Sequence, residues 1–146
     1  MADVYPVSAG KFRFSIDGVQ VGSFSEVSGL EVSLDLHEIK EGGRNGGALR
    51  VPNGLSWPNL RLKRGITESS ALFDWFSQVT TEADLGKPIS MRSSSLELTD
   101  EAGEIVRSWA MVDVMPVKWT GPTFGAGSSE IAVEELEIAH GGFSAQ

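Results

Sequence analysis

Apolar and polar residues alternate along most of this chain, and the period is two far more often than it is helical. Phe12, Phe14 and Ile16 are separated by Lys11, Arg13 and Ser15, so three apolar side chains share one face of a strand. Asp17-Gly18 follows, a dipeptide suited to a tight hairpin because both positions accept positive φ. The return strand starts with Val19 and Val21 and then slips in phase at Gly22, since Phe24 and Val27 do not match Val19; a bulge is predicted there. Leu30, Val32, Leu34 and Leu36 alternate with Glu31, Ser33, Asp35 and His37, which predicts a half-buried strand. Leu60 and Leu62 mark the next. Four more are predicted over Ile89 to Ser93, Ser95 to Thr99, Ile105 to Val114 and Ile131 to Ala139, with Asp100-Glu101-Ala102-Gly103 as a turn. The segment Ile105 to Val114 is apolar on both faces, so it is expected to be central or covered on both sides.

One segment breaks the rule. Leu72, Trp75, Phe76 and Val79 fall at helical spacing, with Thr67 as a candidate cap and Glu68 where the helix dipole favours an acid. Between the early strands and Leu60 runs Lys40 to Asn53, polar and rich in glycine, too long for a tight turn and too poor in apolar residues to build a core. It is expected to be a long protruding loop. Together these elements predict a mainly β protein: a small antiparallel β-barrel or sandwich with one α-helix and a long extended loop.

Length and composition narrow this picture. A chain of 146 residues suits one domain, 1–146, and a hydrophobic share of 40% supports a packed core. Without cysteine there are no disulfides, thiolate metal sites or cysteine nucleophiles, which fits synthesis in a reducing cytoplasm. The N-terminal residues carry no apolar run of the kind a secretory signal needs, and no stretch approaches the ~20 apolar residues of a membrane helix. The net charge of −8 argues against a module that grips nucleic acid, since phosphate neutralisation supplies most of that affinity. Arg61, Lys63 and Arg64 form the one basic cluster, better explained as a solvated face or a contact to an acidic neighbour.

Candidate chemistry is thin. His37 and His140 stand in unrelated contexts, outside any ligand-spaced cluster, so no metal site is expected; His140 reads as a strand-end residue or a hydrogen-bonding partner between subunits. No serine sits in a nucleophile elbow, and the glycine pairs are not followed by the Lys-Ser/Thr of a phosphate loop. Glu134, Glu135 and Glu137 lie together near the C-terminus, where a charged rim or acidic lumen explains them more simply than a pair of catalytic carboxylates. No cofactor and no enzymatic activity are expected. An alternative is a carbohydrate-binding β-sandwich module with Trp57, Trp109 or Trp119 as the sugar platform.

Four segments, Gly22 to Leu30 (GSFSEVSGL), Glu38 to Asn45 (EIKEGGRN), Trp57 to Thr67 (WPNLRLKRGIT) and Trp119 to Pro122 (WTGP), resemble in order and spacing the tail-tube proteins of contractile phage tails and phage-tail-like injection systems. Ile131 to Phe143 (IAVEELEIAHGGF) resembles the closing strand of the same family. Two places depart from that pattern: Asp113-Val114 where Asn-Ala is common, and His140-Gly141-Gly142 where His-Glu-Gly is usual. The resemblance implies hexameric rings of this chain, stacked into a hollow inner tube inside a contractile sheath and driven through a target envelope. The implied partners are other copies of the chain, sheath subunits, baseplate and tube-terminating proteins, and a cargo of DNA or protein effectors in the lumen. It places contacts between subunits in the protruding loop, at Glu41, Gly42, Gly43, Arg44, Asn45, Gly46 and Gly47, and beside Trp57, Arg61, Lys63 and Arg64. Assembly is expected in the cytoplasm, within a tail or injection particle.

Overall fold

A computed structural model describes residues 10–40, 47, 49–66, 69–88, 91–123 and 132–145. Ten strands and one helix follow in chain order: β1 (Lys11–Ile16), β2 (Val19–Phe24), β3 (Glu26–Ser28), β4 (Ser33–Ile39), β5 (Leu49–Ser56), β6 (Leu60–Gly65), α1 (Ala71–Asp84), β7 (Arg92–Thr99), β8 (Ile105–Thr120), β9 (Val133–Ala139) and β10 (Phe143–Ala145). All pairings are antiparallel. Among the described residues eight strands form one sheet in the order β2-β1-β7-β8-β9-β6-β3, with β10 also on β8, while β4 and β5 pair only with each other. The first and last strands of that order, β2 and β3, are separated in the chain by Ser25 alone, so the sheet curls back on itself into a sandwich-like body. It does not close as a barrel.

The local predictions hold where turn chemistry is strong. Asp17 and Gly18 both have positive φ, 50° and 82°, in the β1–β2 hairpin. The register between β1 and β2 shifts after Phe14↔Gly22, leaving Val21 as the extra residue of a bulge beside Gly22. The Asp100 carboxylate accepts the Ala102 and Glu104 N–H groups, and Gly103 has φ 87°, which closes the β7–β8 turn.

Other boundaries differ. Ser93 to Ser95 does not divide two strands; β7 runs through it, because Ser94 points inward beside Leu96 and the ladder to β1 and β8 continues. β8 does not stop at Val114 but continues to Thr120, passing a second irregularity between Pro116 and Lys118, where a residue without an N–H is tolerated. The helix starts after Ser70, whose hydroxyl bonds the Asp74 carboxylate rather than capping the backbone; Thr67 and Glu68 lie outside the described residues. The predicted loop Lys40 to Asn53 is shorter than expected, since residues 49–53 belong to β5 and pair with β4.

The core fills the space between the two sheet halves. Phe14, Ile16, Phe24, Leu96 and Met111 come from the β2-β1-β7-β8 side, and Leu60, Leu62, Leu136 and Ile138 from the β9-β6 side. Leu72, Trp75 and Val79 of α1 close one end, with the Trp75 ring 6.1 Å from that of Phe14. Each such side chain contributes roughly 1.5–3 kcal/mol by leaving water. Gly29 is the tightest backbone approach in the body: φ is 85°, and a Cβ there would run into the Asn59 carbonyl. Gly29→Ala is therefore expected to cost about 1–3 kcal/mol, checked by the midpoint of chemical denaturation.

Candidate assembly interface

Three of the segments singled out in the sequence meet in one half of the sandwich. β3 lies on β6 in the register Glu26↔Lys63 and Ser28↔Arg61, and β6 lies on β9 in the register Arg61↔Glu137, Lys63↔Glu135 and Arg64↔Glu134. Period two then sorts the charges. Arg61 and Lys63 share the outer face with Glu135 and Glu137, while Arg64 shares the core face with Leu60 and Leu62 and meets Glu134, which stands with Leu136 and Ile138.

The inward pair is fully internal. Arg64 Nε donates to Glu134 Oε1 at 2.7 Å, both side chains being less than a tenth exposed, and Trp119 Nε1 donates to Glu134 Oε2 at 3.1 Å. The Arg64 guanidinium also lies over the Phe24 ring, 5.4 Å from its centroid. Arg64 was expected among the contacts between subunits, and Glu134 on a charged rim or in an acidic lumen. Their shared parity with core leucines turns both inside instead. Gly121 packs under this junction, since a Cβ there would stand 2.8 Å from the Trp119 ring.

The outward set is a ladder of opposite charges. Arg61 Nε donates to Glu137 Oε1 at 2.9 Å and lies 4.0 Å from Glu135, and Asn59 Nδ2 donates to Glu137 Oε2 at 3.2 Å. The bonds from Asn59 first and Arg61 second hold the Glu137 carboxyl below its ordinary range, against a smaller opposing effect of burial.

Trp57 packs in the same half, half-buried against the C-terminal turn. Its ring is 5.0 Å from Phe143 and 6.1 Å from His140, and a Cβ on Gly142 would come within 3.1 Å of it. His140 Nε2 lies 3.1 Å from the Pro58 carbonyl, which can only accept, and His140 Nδ1 accepts the Gly142 N–H at 3.1 Å. The ring is therefore the neutral Nε2–H form. The two departures from the family pattern also meet here: a Cβ on Gly141 would stand 3.0 Å from Asp113 Oδ2, so a glutamate in that place would crowd and repel the Asp113 carboxylate.

The sugar-platform alternative loses its residues to this packing. Trp57, Trp109 and Trp119 are all half-buried, and the last two lie against the core.

What remains outside is the β4–β5 ribbon, and sequence reasoning missed its role. Leu34 and Leu36 were expected on the covered face of a half-buried strand; they are 52% and 52% exposed, and Leu55 beside them is 57% exposed. Paired residues share a face, so Leu34↔Leu55 and Leu36↔Pro52 form one apolar side, and His37↔Val51 and Ile39↔Leu49 the other. The strand over Ile105 to Val114 was expected to be central or covered on both sides; β8 is central, between β7 and β9, while its Val106 and Val112 are more than a third exposed. Of the expected loop contacts, Gly47 is described, with φ 97°; Glu41, Gly42, Gly43, Arg44, Asn45 and Gly46 lie outside the described residues. Among the described residues no group of three His, Cys, Asp or Glu side chains is placed to hold a metal, and no helix is long and apolar enough to cross a membrane.

A sandwich body with a paired charge ladder and an uncovered apolar ribbon defines a structural subunit built to join others. The chain belongs to the T4-like virus tail tube protein gp19 family, whose sequence profile matches residues 8–144. It is similar to a chain of the PVC extracellular contractile injection system sheath–tube complex in its extended state, with 27% identity over 98% of this chain and 93% of that one and a TM-score of 0.80. It is also similar to a chain of the anti-feeding prophage tube-terminating cap, with 27% identity over 100% and 94% and a TM-score of 0.81. Hcp1 from Flavobacterium johnsoniae shares the fold at 15% identity over 92% and 94%, with a TM-score of 0.54. No curated protein matches the chain.

Two predictions test the junction. Arg64→Ala leaves a buried carboxylate without its cation and is expected to cost about 3–5 kcal/mol, read from urea denaturation. Burial pushes the His140 pKa below its ordinary 6.5, with the Pro58 bond acting the other way. The unfolded chain then binds the proton first, so stability from this group is full above about pH 6.5 and falls as pH drops through the folded value. His140→Gln is expected to flatten that decline, checked by melting temperatures across a pH series.

Proposed function

We propose that six copies of this chain close into a ring, that rings stack into the hollow inner tube of a contractile injection system or phage tail, and that the tube works mechanically, without catalysis. Within this proposal the chain is a single domain made in the cytoplasm. Its partners are other copies of itself, the sheath around the tube, and the baseplate and cap at its ends, as the names of the similar complexes suggest. The lumen conducts the cargo.

The observation that carries this reading is the β4–β5 ribbon. A two-stranded ribbon is at best marginally stable in water, and among the described residues this one joins no third strand while exposing Leu34, Leu36 and Leu55 on one face and Ile39 and Leu49 on the other. Such a surface on a tube subunit is a joining device. It buries its apolar faces and its free strand edges on neighbouring copies. In this proposal Glu41 to Gly47 extend the same contact, and so do Trp57, next to the end of β5, and Arg61 and Lys63 on the outer face of β6.

Association has to overcome like charge, since each copy adds a net −8. That favours an apolar and backbone-bonded contact over an ionic one.

The test is expression of the chain and of Leu34→Asp/Leu55→Asp, viewed by negative-stain electron microscopy with melting curves alongside. Wild type is expected to form rings or tubes. Both substituted positions are exposed, so the variant is expected to melt within a few degrees of wild type yet stay monomeric. Tubes from the variant would remove the ribbon from the joint.

A further inference from the structure

Of the two described asparagines, Asn53 and Asn59, the first sits where its own backbone can attack it. Asn53 is followed by Gly54, and both are exposed near the end of β5. The β4–β5 register pairs Leu36 with Pro52 and Leu34 with Leu55, so Asp35 alone stands opposite Asn53 and Gly54. This is a two-against-one bulge, where the ladder is locally broken. Pro52 beside it has no N–H to give to β4. Gly54 has φ 100°, a conformation that side chains disfavour, and a Cβ built there would meet nothing within 4 Å among the described residues. Approach of the Gly54 nitrogen to the Asn53 side chain is hindered neither by a side chain of its own residue nor by a packed neighbour.

We propose that Asn53 is a site of spontaneous deamidation, through a succinimide closed by the Gly54 nitrogen. That nitrogen gives its proton to water or hydroxide and bonds to Asn53 Cγ, while the Cγ–Nδ2 bond breaks and ammonia leaves. Water then opens the five-membered ring at either carbonyl, giving aspartate or isoaspartate. The balance is one water in and one ammonia out, with no oxidant and no cofactor. Ring closure needs local excursions of the backbone, and these cost little in a ribbon that joins no third strand among the described residues. Asn59 lacks these features. Its Nδ2 donates to Glu137 Oε2 at 3.2 Å, and the residue after it, Leu60, is fully buried and lies in the β6–β9 ladder. The product at Asn53 adds a negative charge to a chain already at −8 and sets it across the ribbon from Asp35. Isoaspartate also lengthens the backbone of β5 by a methylene, so both products loosen β5 from β4.

The test is to incubate the full chain at neutral and mildly alkaline pH, digest it with trypsin and locate each amide by fragmentation mass spectrometry. Cleavage after Arg50 and Arg61 puts Asn53 and Asn59 on one peptide, whereas Asn45, with its own Gly46, falls on another and is read separately. Amide loss at Asn53 is expected to grow with time and with pH and to leave Asn59 intact. The product is expected to include isoaspartate, which an isoaspartyl methyltransferase labels. Asn53→Gln, which would have to close a six-membered ring, is expected to abolish both the loss and the label on this peptide. The same tryptic peptide incubated free serves as the reference. An amide kept at Asn53 in the folded chain while the free peptide converts, or equal loss at Asn59, would overturn the assignment.

Discussion

A strand of sixteen residues cannot stay in one plane while bonding to two sheet halves that face each other. β8 meets β7 along Ile105 to Val114 and β9 along Met115 to Thr120, and it bends just before the change of partner, at Asp113, a non-glycine residue with φ 53°. The bend fixes what surrounds it. Gly141 and Gly142 bond the Val112 backbone on the outside of the bend, so β9 and β10 follow β8 along its length despite the turn between them. Met111 and Val114 face the core on either side of the bend, and the helix packs across the same strand to seal one end. The left-handed backbone at Asp113 is a local cost offset by a core drawn from both halves.

The second constraint is electrostatic. An ion pair taken out of water is stabilising only when its geometry and remaining bonds are good. Glu134 has both oxygens bonded, by Arg64 and Trp119, and Arg64 stacks on Phe24 although its buried Nη2 has no partner among the described residues, so the pair ties β6, β9, the end of β8 and β2 at one point. The family signature in this chain is thus largely a folding device. Trp57, Arg64, Gly121 and Gly29 serve contacts within the subunit.

That division suits a protein that must be stable as a free subunit and also polymerise. The body satisfies its own core and pairs Arg61 with Glu137 on the outer face of β6 and β9. The ribbon keeps its apolar faces and strand edges uncovered, and the net charge of −8 opposes indiscriminate association.

Period-two alternation determined the β class, the Asp17-Gly18 hairpin, the bulge beside Gly22 and the inward faces of β1 and β6, because side-chain direction in a strand is set by position alone. The same rule carried a signal for Arg64 and Glu134, which share parity with Leu60, Leu62, Leu136 and Ile138, although a cluster of three cations reads first as surface. Alternation also marks one face of Leu30 to Leu36 as apolar. It does not say whether the cover comes from the same chain, since a face buried by a partner and a face buried by the core have one pattern. Serines at 93–95 read as punctuation until the ladders on both sides carry β7 through them. The sequence by itself determined which residues prefer to leave water; only the tertiary structure decided which of them the subunit covers alone, because cover depends on contacts far apart in the chain.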